Sequence, residues 1–381
     1  MRITVPVATG PEAIKLAGVV GGLRGAGHLV RVVATGDRVD DPGLADDVFP
    51  DLDLRIDTHW TLPEPEGART GALFGHAFAE LDAHRPDAVL VLGDGDTAPV
   101  VAWAARRFGV GVVHLEAGLR SFNGRSAEEL NRRQMVALAT LHLAPTELAA
   151  AFLRDEGVGA ERIRVVGSST VDTLQASGVN RVPIARRNGV VFTARRATNL
   201  DDSGQLADLV QIVLALGAIG TVTFPVHPRT RARLQDSGLW DVLAASPDVR
   251  MRELMGYGAL LRLLAGSRLL VTDSGGLQEE AAYFGVPAVV MRQSTSRWEG
   301  VVNGGAVLTG LDRDRVLSAA RQLTGSAAAS RIATLPSPYG DGRTVGRVVS
   351  AFADESLLEH LPPAEPDYRH SAPPLPAGVA L

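Results

Sequence analysis

Short β-rich apolar runs alternate with helical patterns along almost the whole chain: ITVPVA, LVRVVA, AVLVL, VGVVHL and IRVVG before Ser168, then VVFTA, TVTFPV, RLLVTD and AVVMR after it. Parallel strands need long crossovers, crossovers are usually helices, and the strands they cover are apolar on both faces. The expected class is therefore α/β, with parallel sheets covered by helices. One hydrophobic core seldom grows beyond roughly 250 to 300 residues, so a chain of 381 residues is expected to form two lobes. The run TLQASGVNRVPIARRNG breaks the alternation with glycine, proline and clustered arginines, and reads as the connection between them. The expected organisation is a Rossmann-like lobe over 1–172, a linker over 173–188, a second such lobe over 189–342 and a closing helix over 343–361. Val345, Val348, Val349 and Phe352 give that last segment its helical spacing. Residues 362–381 carry six prolines and read as a disordered tail.

Composition narrows the functional classes. Charged residues make up 21% and hydrophobic residues 45%, which excludes wholesale disorder and a membrane bundle. The net charge of −5, with no long block of one sign, argues against a nucleic-acid surface and favours a small partner. No cysteine is present, so disulfides, thiolate metal sites and thiol nucleophiles are excluded. MRITVPVATG lacks the pattern of a secretory leader and no apolar stretch approaches 18 residues, so the cytoplasm is the expected compartment. Against 37 arginines stands a single lysine, Lys15. Coding bias explains the excess of arginine, and a lysine that survives it is a candidate for chemistry a planar guanidinium does not supply.

Open α/β sheets bind ligands at the carboxyl ends of their strands, and the chemistry-bearing residues cluster in those loops. RLLVTDSGGLQEEAAYFGVPAVVM places Ser274, Gly275 and Gly276 between a strand and a helix. Close backbone approach, free amides and the helix dipole there suit an anion such as a diphosphate, and Glu280 could accept ribose hydroxyls. A serine cap on a tight turn, with no ligand, is the plainer alternative. Lys15 falls one turn inside the first helix, behind Pro11. Asp94 and Asp96 follow AVLVL, and Glu116 and Arg120 follow the next strand; carboxylates at such mouths can be desolvated and used for proton transfer. Glu128 and Glu129 open a helix with Arg132 one turn later, for which an i,i+4 ion pair is the ordinary reading. His227, before Pro228, could stabilise or protonate a leaving phosphate as imidazolium. His114 and His142 form no metal-ligand spacing with it, so no metal is expected.

With these residues in place, the chain resembles the non-hydrolysing UDP-N-acetylglucosamine 2-epimerase family over roughly residues 2–360. PEAIK, HLEAGLR, AEELNRR, LAPTE, PVHP, TDSGGLQEE with the following VMR, and SPYGDG occur in the family's order. The resemblance implies a GT-B fold, two facing Rossmann-like domains with a C-terminal helix crossing back. It implies a cofactor-independent enzyme, a nucleotide-sugar substrate and a homodimer. The reaction implied is anti elimination of UDP across C1 and C2, then readdition after a proton reaches the opposite face of C2. Position by position, Asp94, Glu116 and Glu128 match the family's catalytic acids and His227 its cleft histidine. Lys15, Arg132, Ser274, Gly275, Gly276, Glu280 and Arg297 match substrate contacts.

Several positions depart from that pattern. Ala8-Thr9-Gly10-Pro11-Glu12 stands where the family has Gly-Thr-Arg-Pro-Glu, Leu260 replaces an aromatic expected near the uracil, and Met255 replaces a polar neighbour. Arg195-Arg196-Ala197-Thr198-Asn199 replaces His-Arg-Arg-Glu-Asn, and Asp37-Arg38 replaces Gln-His. A changed nucleotide and a lost allosteric site are the expectations. The loop from Glu116 to Glu128 is two residues short. Rival readings are a hydrolysing epimerase that releases free sugar and UDP, a GT-B glycosyltransferase and a non-catalytic nucleotide-sugar sensor.

Overall fold

The computed structural model describes residues 1–36, 54–63 and 66–362. Asp37, Arg38 and the tail beyond 362 lie outside the described residues. The first lobe is a seven-stranded parallel sheet built from β1 (Arg2–Val7), β2 (Leu29–Ala34), β3 (Thr58–His59), β4 (Ala88–Leu92), β5 (Gly111–Leu115), β6 (Leu141–Ala144) and β7 (Ile163–Val165), in the order 3-2-1-4-5-6-7. The second is a six-stranded parallel sheet of β8 (Val190–Thr193), β9 (Val222–Pro225), β10 (Val249–Arg252), β11 (Leu269–Thr272), β12 (Ala288–Val290) and β13 (Ala306–Leu308), in the order 10-9-8-11-12-13. Every residue of β4 and β5 is buried, as helices on both faces require. Each lobe has its own aliphatic core: Val5, Leu16, Leu90 and Val113 in the first, Phe192, Leu209, Phe224 and Val271 in the second.

Strand order reverses once in each sheet, between β1 and β4 and between β8 and β11. Flanking loops diverge at such a point and leave a crevice. The loops at the first crevice carry Ala8–Glu12 and Gly93–Asp96, and those at the second carry Ala194–Arg196 and Asp273–Gly276. The lobes meet through the loops after β5, β6 and β7: the Trp298 indole donates to the Arg120 carbonyl at 2.9 Å, Thr146 to Glu299, and Ser168 to Glu279.

The stretch expected as a linker differs at both ends. Its first residues finish the helix Ser169–Ala176, where Leu174 is buried in a cluster of the second lobe. Further on, two of the clustered arginines, exposed Arg181 and buried Arg187, are tied to the second lobe. Arg181 donates to the Tyr283 carbonyl at 2.6 Å, and Arg187 to those of Phe284 and Gly285, satisfying carbonyls that the end of the helix Gly276–Phe284 leaves without intrahelical donors. The single closing helix expected over 343–361 is two helices, Thr344–Ala351 and Glu355–Leu358, because Asp354 caps the second by accepting from Ser356 N–H. Both return to the first lobe, burying Val348, Phe352, Leu357 and Leu361 in its core. Asp172 caps the first of them through the amides of Thr344 and Val345 at 3.1 and 3.0 Å.

This docking needs small residues on the helix Gly10–Gly25. A Cβ on Gly22 would lie 2.6 Å from Val345 Cγ1 and 3.1 Å from Val349 Cγ2. Gly22→Leu is expected to destabilise the protein by about 1–3 kcal/mol through overpacking, read as a lower urea midpoint with little change in slope.

Candidate active site

Glu116 is the centre of the site. It follows β5 in the left-handed region, with φ of 61°, a conformation that a non-glycine residue adopts only under constraint. Its carboxylate is 6% exposed and bridges the two lobes: Lys15 Nζ donates to Oε1 at 2.6 Å, and Arg297 Nη2 to Oε2 at 3.2 Å. Burial alone would raise its pKa, but the two cations outweigh burial and bring it down to about 2. Burial likewise opposes the charge on Lys15, and Glu116 with Glu279 overrides it, so the ammonium titrates above its usual range. Arg297 is held on its other side by Glu279 and by Ser296 Oγ at 2.8 Å.

Asp94 sits at the first crevice, where the Arg132 guanidinium ties it down. Arg132 also donates to Glu129 at 2.8 Å and reaches Ser296 Oγ of the second lobe at 3.5 Å. The pairing is thus i,i+3 with Glu129; the i,i+4 pair expected with Glu128 is replaced because the guanidinium turns toward Asp94. Asn131 braces this loop through the Asp94 carbonyl at 2.9 Å and the Asp96 carboxylate at 2.8 Å. Glu128, half-exposed in the first turn of the helix Ala127–Leu138, accepts from Ser126 and faces Arg196 of the second lobe at 3.7 Å. Burial opposes its charge, and the Ser126 hydroxyl with Arg196 lowers its pKa nonetheless. Arg120, named with Glu116 at this strand end, is 1% exposed and forms a double ion pair with Glu156, which makes it a brace of the first lobe.

In the second lobe the helix Gly276–Phe284 takes Gly275 as its cap residue with no side-chain cap, so Ser274 is not the cap. Ser274 N–H instead donates to Thr272 Oγ1 at 2.9 Å, and a Cβ placed on Gly275 would meet nothing within 4 Å. Glu280 accepts from the Tyr257 hydroxyl at 2.9 Å, while its other oxygen is buried and has no partner. Burial lifts Glu280 to about 7. His227 caps the helix Pro228–Asp236 at the same carboxyl edge, its Nδ1 accepting from Arg229 N–H at 3.2 Å.

Three residues that sequence reasoning passed over belong to the same network. Glu279 neighbours Glu280 in QEE and carries Arg297. Arg196 meets Glu128 across the cleft. Glu12, one turn before Lys15, accepts from Ala8 N–H at 2.8 Å and is lifted by burial to about 7, with Asp94 adding to the rise. The acidic doublet and PEAIK were the available signals; the partners were not visible in either.

With two lobes, a cleft at both reversal points and this set of charges, the comparisons with known proteins converge. The profile for UDP-N-acetylglucosamine 2-epimerase matches residues 24–353. The chain belongs to the UDP-N-acetylglucosamine 2-epimerase family. It is similar to UDP-N-acetylglucosamine 2-epimerase of Bacillus subtilis, 32% identical with 94% of this chain and 96% of that protein covered. It is also similar to UDP-2,3-diacetamido-2,3-dideoxy-D-glucuronate 2-epimerase of Pseudomonas aeruginosa, at 29% identity over 93% and 99%. The crystal structure of the Methanocaldococcus jannaschii UDP-GlcNAc 2-epimerase in complex with UDP-GlcNAc and UDP superimposes with a TM-score of 0.83 at 28% identity, covering 93% of this chain and 99% of that one. The GT-B architecture, the epimerase family and an isomerase activity are therefore established for the chain.

The departures from the family's motifs also have a place in the fold. Gly10 opens the first helix behind the Thr9 cap, and Leu260 lies on the helix Tyr257–Ala265, five residues after Met255. The amides of Arg195 and Arg196 both donate to the buried Asp273 carboxylate, so the backbone of this epimerase is anchored there whatever the side chains do.

The charge pattern predicts how stability varies with pH. Glu12 and Glu280 have raised folded pKa values near 7, so between about 4.5 and 7 the folded state holds protons that the unfolded state has lost. Their contribution falls as pH rises through that window. Glu116, depressed to about 2, works oppositely: its contribution is present above about 4.5 and is lost as pH falls toward 2. Chemical unfolding across pH should show Glu12→Gln flattening the loss between 4.5 and 7, and Glu116→Gln flattening the loss below 4.5.

Proposed function

We propose that this epimerase inverts C2 of a nucleotide-activated 2-acetamido sugar of the UDP-GlcNAc to UDP-ManNAc type, by eliminating the nucleotide and adding it back. The observation that carries the reading is the inter-lobe cluster of Lys15, Glu116 and Arg297 beside Asp94 and Arg132, with the Ser274-Gly275-Gly276 turn at the carboxyl edge of the second sheet. The named relatives, with a UDP-GlcNAc complex among them, support the substrate class.

The chemistry asks for two things. A proton on C2 is scarcely acidic, so the C1–O bond must break early and its electron pair must be received by a stabilised phosphate oxygen. Lys15, Arg297, the His227 imidazole and the amides of the turn are the groups that hold this departing diphosphate. A carboxylate then takes the C2 proton while the C1–C2 double bond forms. In the return, a proton is delivered to the opposite face of C2 and the phosphate oxygen attacks C1, so no net proton or electron is consumed. With its pKa near 2, Glu116 is anionic throughout and steadies the cationic C1. Asp94 and Glu128 are the proton-transfer pair.

Incubation with UDP-GlcNAc in D2O should place deuterium at C2, and Asp94→Asn should lower kcat by roughly 10²–10⁴-fold. No deuterium at C2 with any nucleotide sugar would falsify the reading, and stoichiometric accumulation of UDP would move it to hydrolysis. We further propose a cytoplasmic homodimer, supported by the family resemblance and by the absence, among the described residues, of any helix long and apolar enough to cross a membrane. Sedimentation velocity tests the dimer.

A further inference from the structure

We propose that Tyr257 is a positioning residue for the nucleotide: its hydroxyl occupies one carboxylate oxygen of Glu280 and aims the other at the ribose diol. The inference rests on the nucleotide-sugar reading and extends it to a residue outside the acids and the phosphate groups.

Tyr257 opens the helix Tyr257–Ala265 and packs its ring partly against the core of the second lobe. From there its hydroxyl donates to Glu280 Oε1 at 2.9 Å. Glu280 is only 7% exposed, and its Oε2 is buried and accepts nothing. A carboxylate oxygen left in that state has given up water without a replacement, a cost that a hydroxyl donor from a ligand relieves. The neighbouring turn presents bare backbone: a Cβ on Gly275 would meet no atom within 4 Å, and one on Gly276 would meet only Glu280 Oε1 at 4.0 Å. A vicinal diol offers two hydroxyl donors side by side. One fits Oε2, and the second shares the lone pair that Tyr257 leaves on Oε1. A phenol suits the task because it fixes the rotamer of the carboxylate without neutralising it.

The titration of this pair supports the geometry. Burial raises Glu280 to about 7; the Tyr257 hydrogen bond, Lys15 from the first lobe and Arg195 from the loop after β8 lower it, while Glu279 on its own helix raises it. Burial, then Glu280, lifts the Tyr257 phenol well above its ordinary range, so it remains a donor at working pH. The ionised carboxylate is the better acceptor for a diol. The preference for the diol over a dideoxy ribose therefore strengthens as pH rises through 7 and weakens below it. Loss of the Tyr257 hydroxyl removes one lowering influence and moves that midpoint upward.

Calorimetric titration of the full-length enzyme tests this. UDP, CDP, ADP and GDP are compared first, and the tightest of them is then set against its 2′,3′-dideoxy analogue in wild type, Tyr257→Phe and Glu280→Gln. Wild type is expected to prefer the diol by roughly tenfold or more. Tyr257→Phe should cut that preference by roughly fivefold, raise the pH midpoint, and keep its affinity for the dideoxy analogue. Glu280→Gln should abolish the pH dependence of the diol preference, in which the titration of the diphosphate common to both nucleotides cancels. A diol preference and midpoint unchanged in Tyr257→Phe, equal weakening toward both nucleotides, or no diol preference in wild type overturns the positioning role. If wild type binds none of the four diphosphates, the nucleotide reading itself falls.

Discussion

A carboxylate that is almost wholly buried, set in a left-handed turn and gripped by a cation from each lobe, organises this protein. Neither burial nor strain at Glu116 is favourable alone: a lone buried charge is among the costliest features a fold can contain. Lys15 and Arg297 make it tolerable, and in doing so they fix how the lobes meet. The surrounding contacts repeat the device in weaker form, with Arg132 tying Asp94 to Ser296 and Arg196 facing Glu128. Closure and electrostatics are therefore one property. In the proposed reaction the departing diphosphate enters a place already arranged for charge, where little reorganisation is needed when the bond breaks.

The arrangement follows from topology. Each sheet reverses its strand order once, and each reversal opens loops at the carboxyl edge. Facing the two lobes brings four such loops together, so acids from one sheet stand opposite the amide turn and Glu280 of the other. The helices Thr344–Ala351 and Glu355–Leu358 secure the facing by returning to the first lobe, where Gly18 and Gly22 make room for Val345.

Much of the fold was legible because many of its strands are apolar on both faces. Thr58–His59, Leu141–Ala144, Val249–Arg252 and Ala306–Leu308 were not among those runs: the first has no apolar residue and the next two interrupt theirs with histidine or arginine, so pairing with neighbours and not local pattern makes these three strands, while Ala306–Leu308 is apolar and no shorter than strands that were legible. The clustered arginines after Ala176 look like a solvated linker until the helix end they cap is seen. Among site residues, Lys15, Asp94, Glu116, Arg132 and Arg297 were named from residue type, loop position and resemblance. Glu12, Arg196, Tyr257 and Glu279 were not, since each acquires its meaning from a partner distant in the chain or across the cleft.

The sequence by itself determined the α/β class, the two lobes, the loops in which chemistry would gather and the identity of the charged groups there. Those properties are local: periodicity, turn residues and side-chain type act over a few residues. Only the tertiary structure decided which carboxyls are anionic and which hold protons near neutrality. Glu12, in the first turn of the helix after β1, and Glu116, directly after β5, are both glutamates of the first lobe, yet one sits near 7 and the other near 2. Burial and the distance to a cation set that difference, and both depend on chain segments that pack together from far apart in sequence.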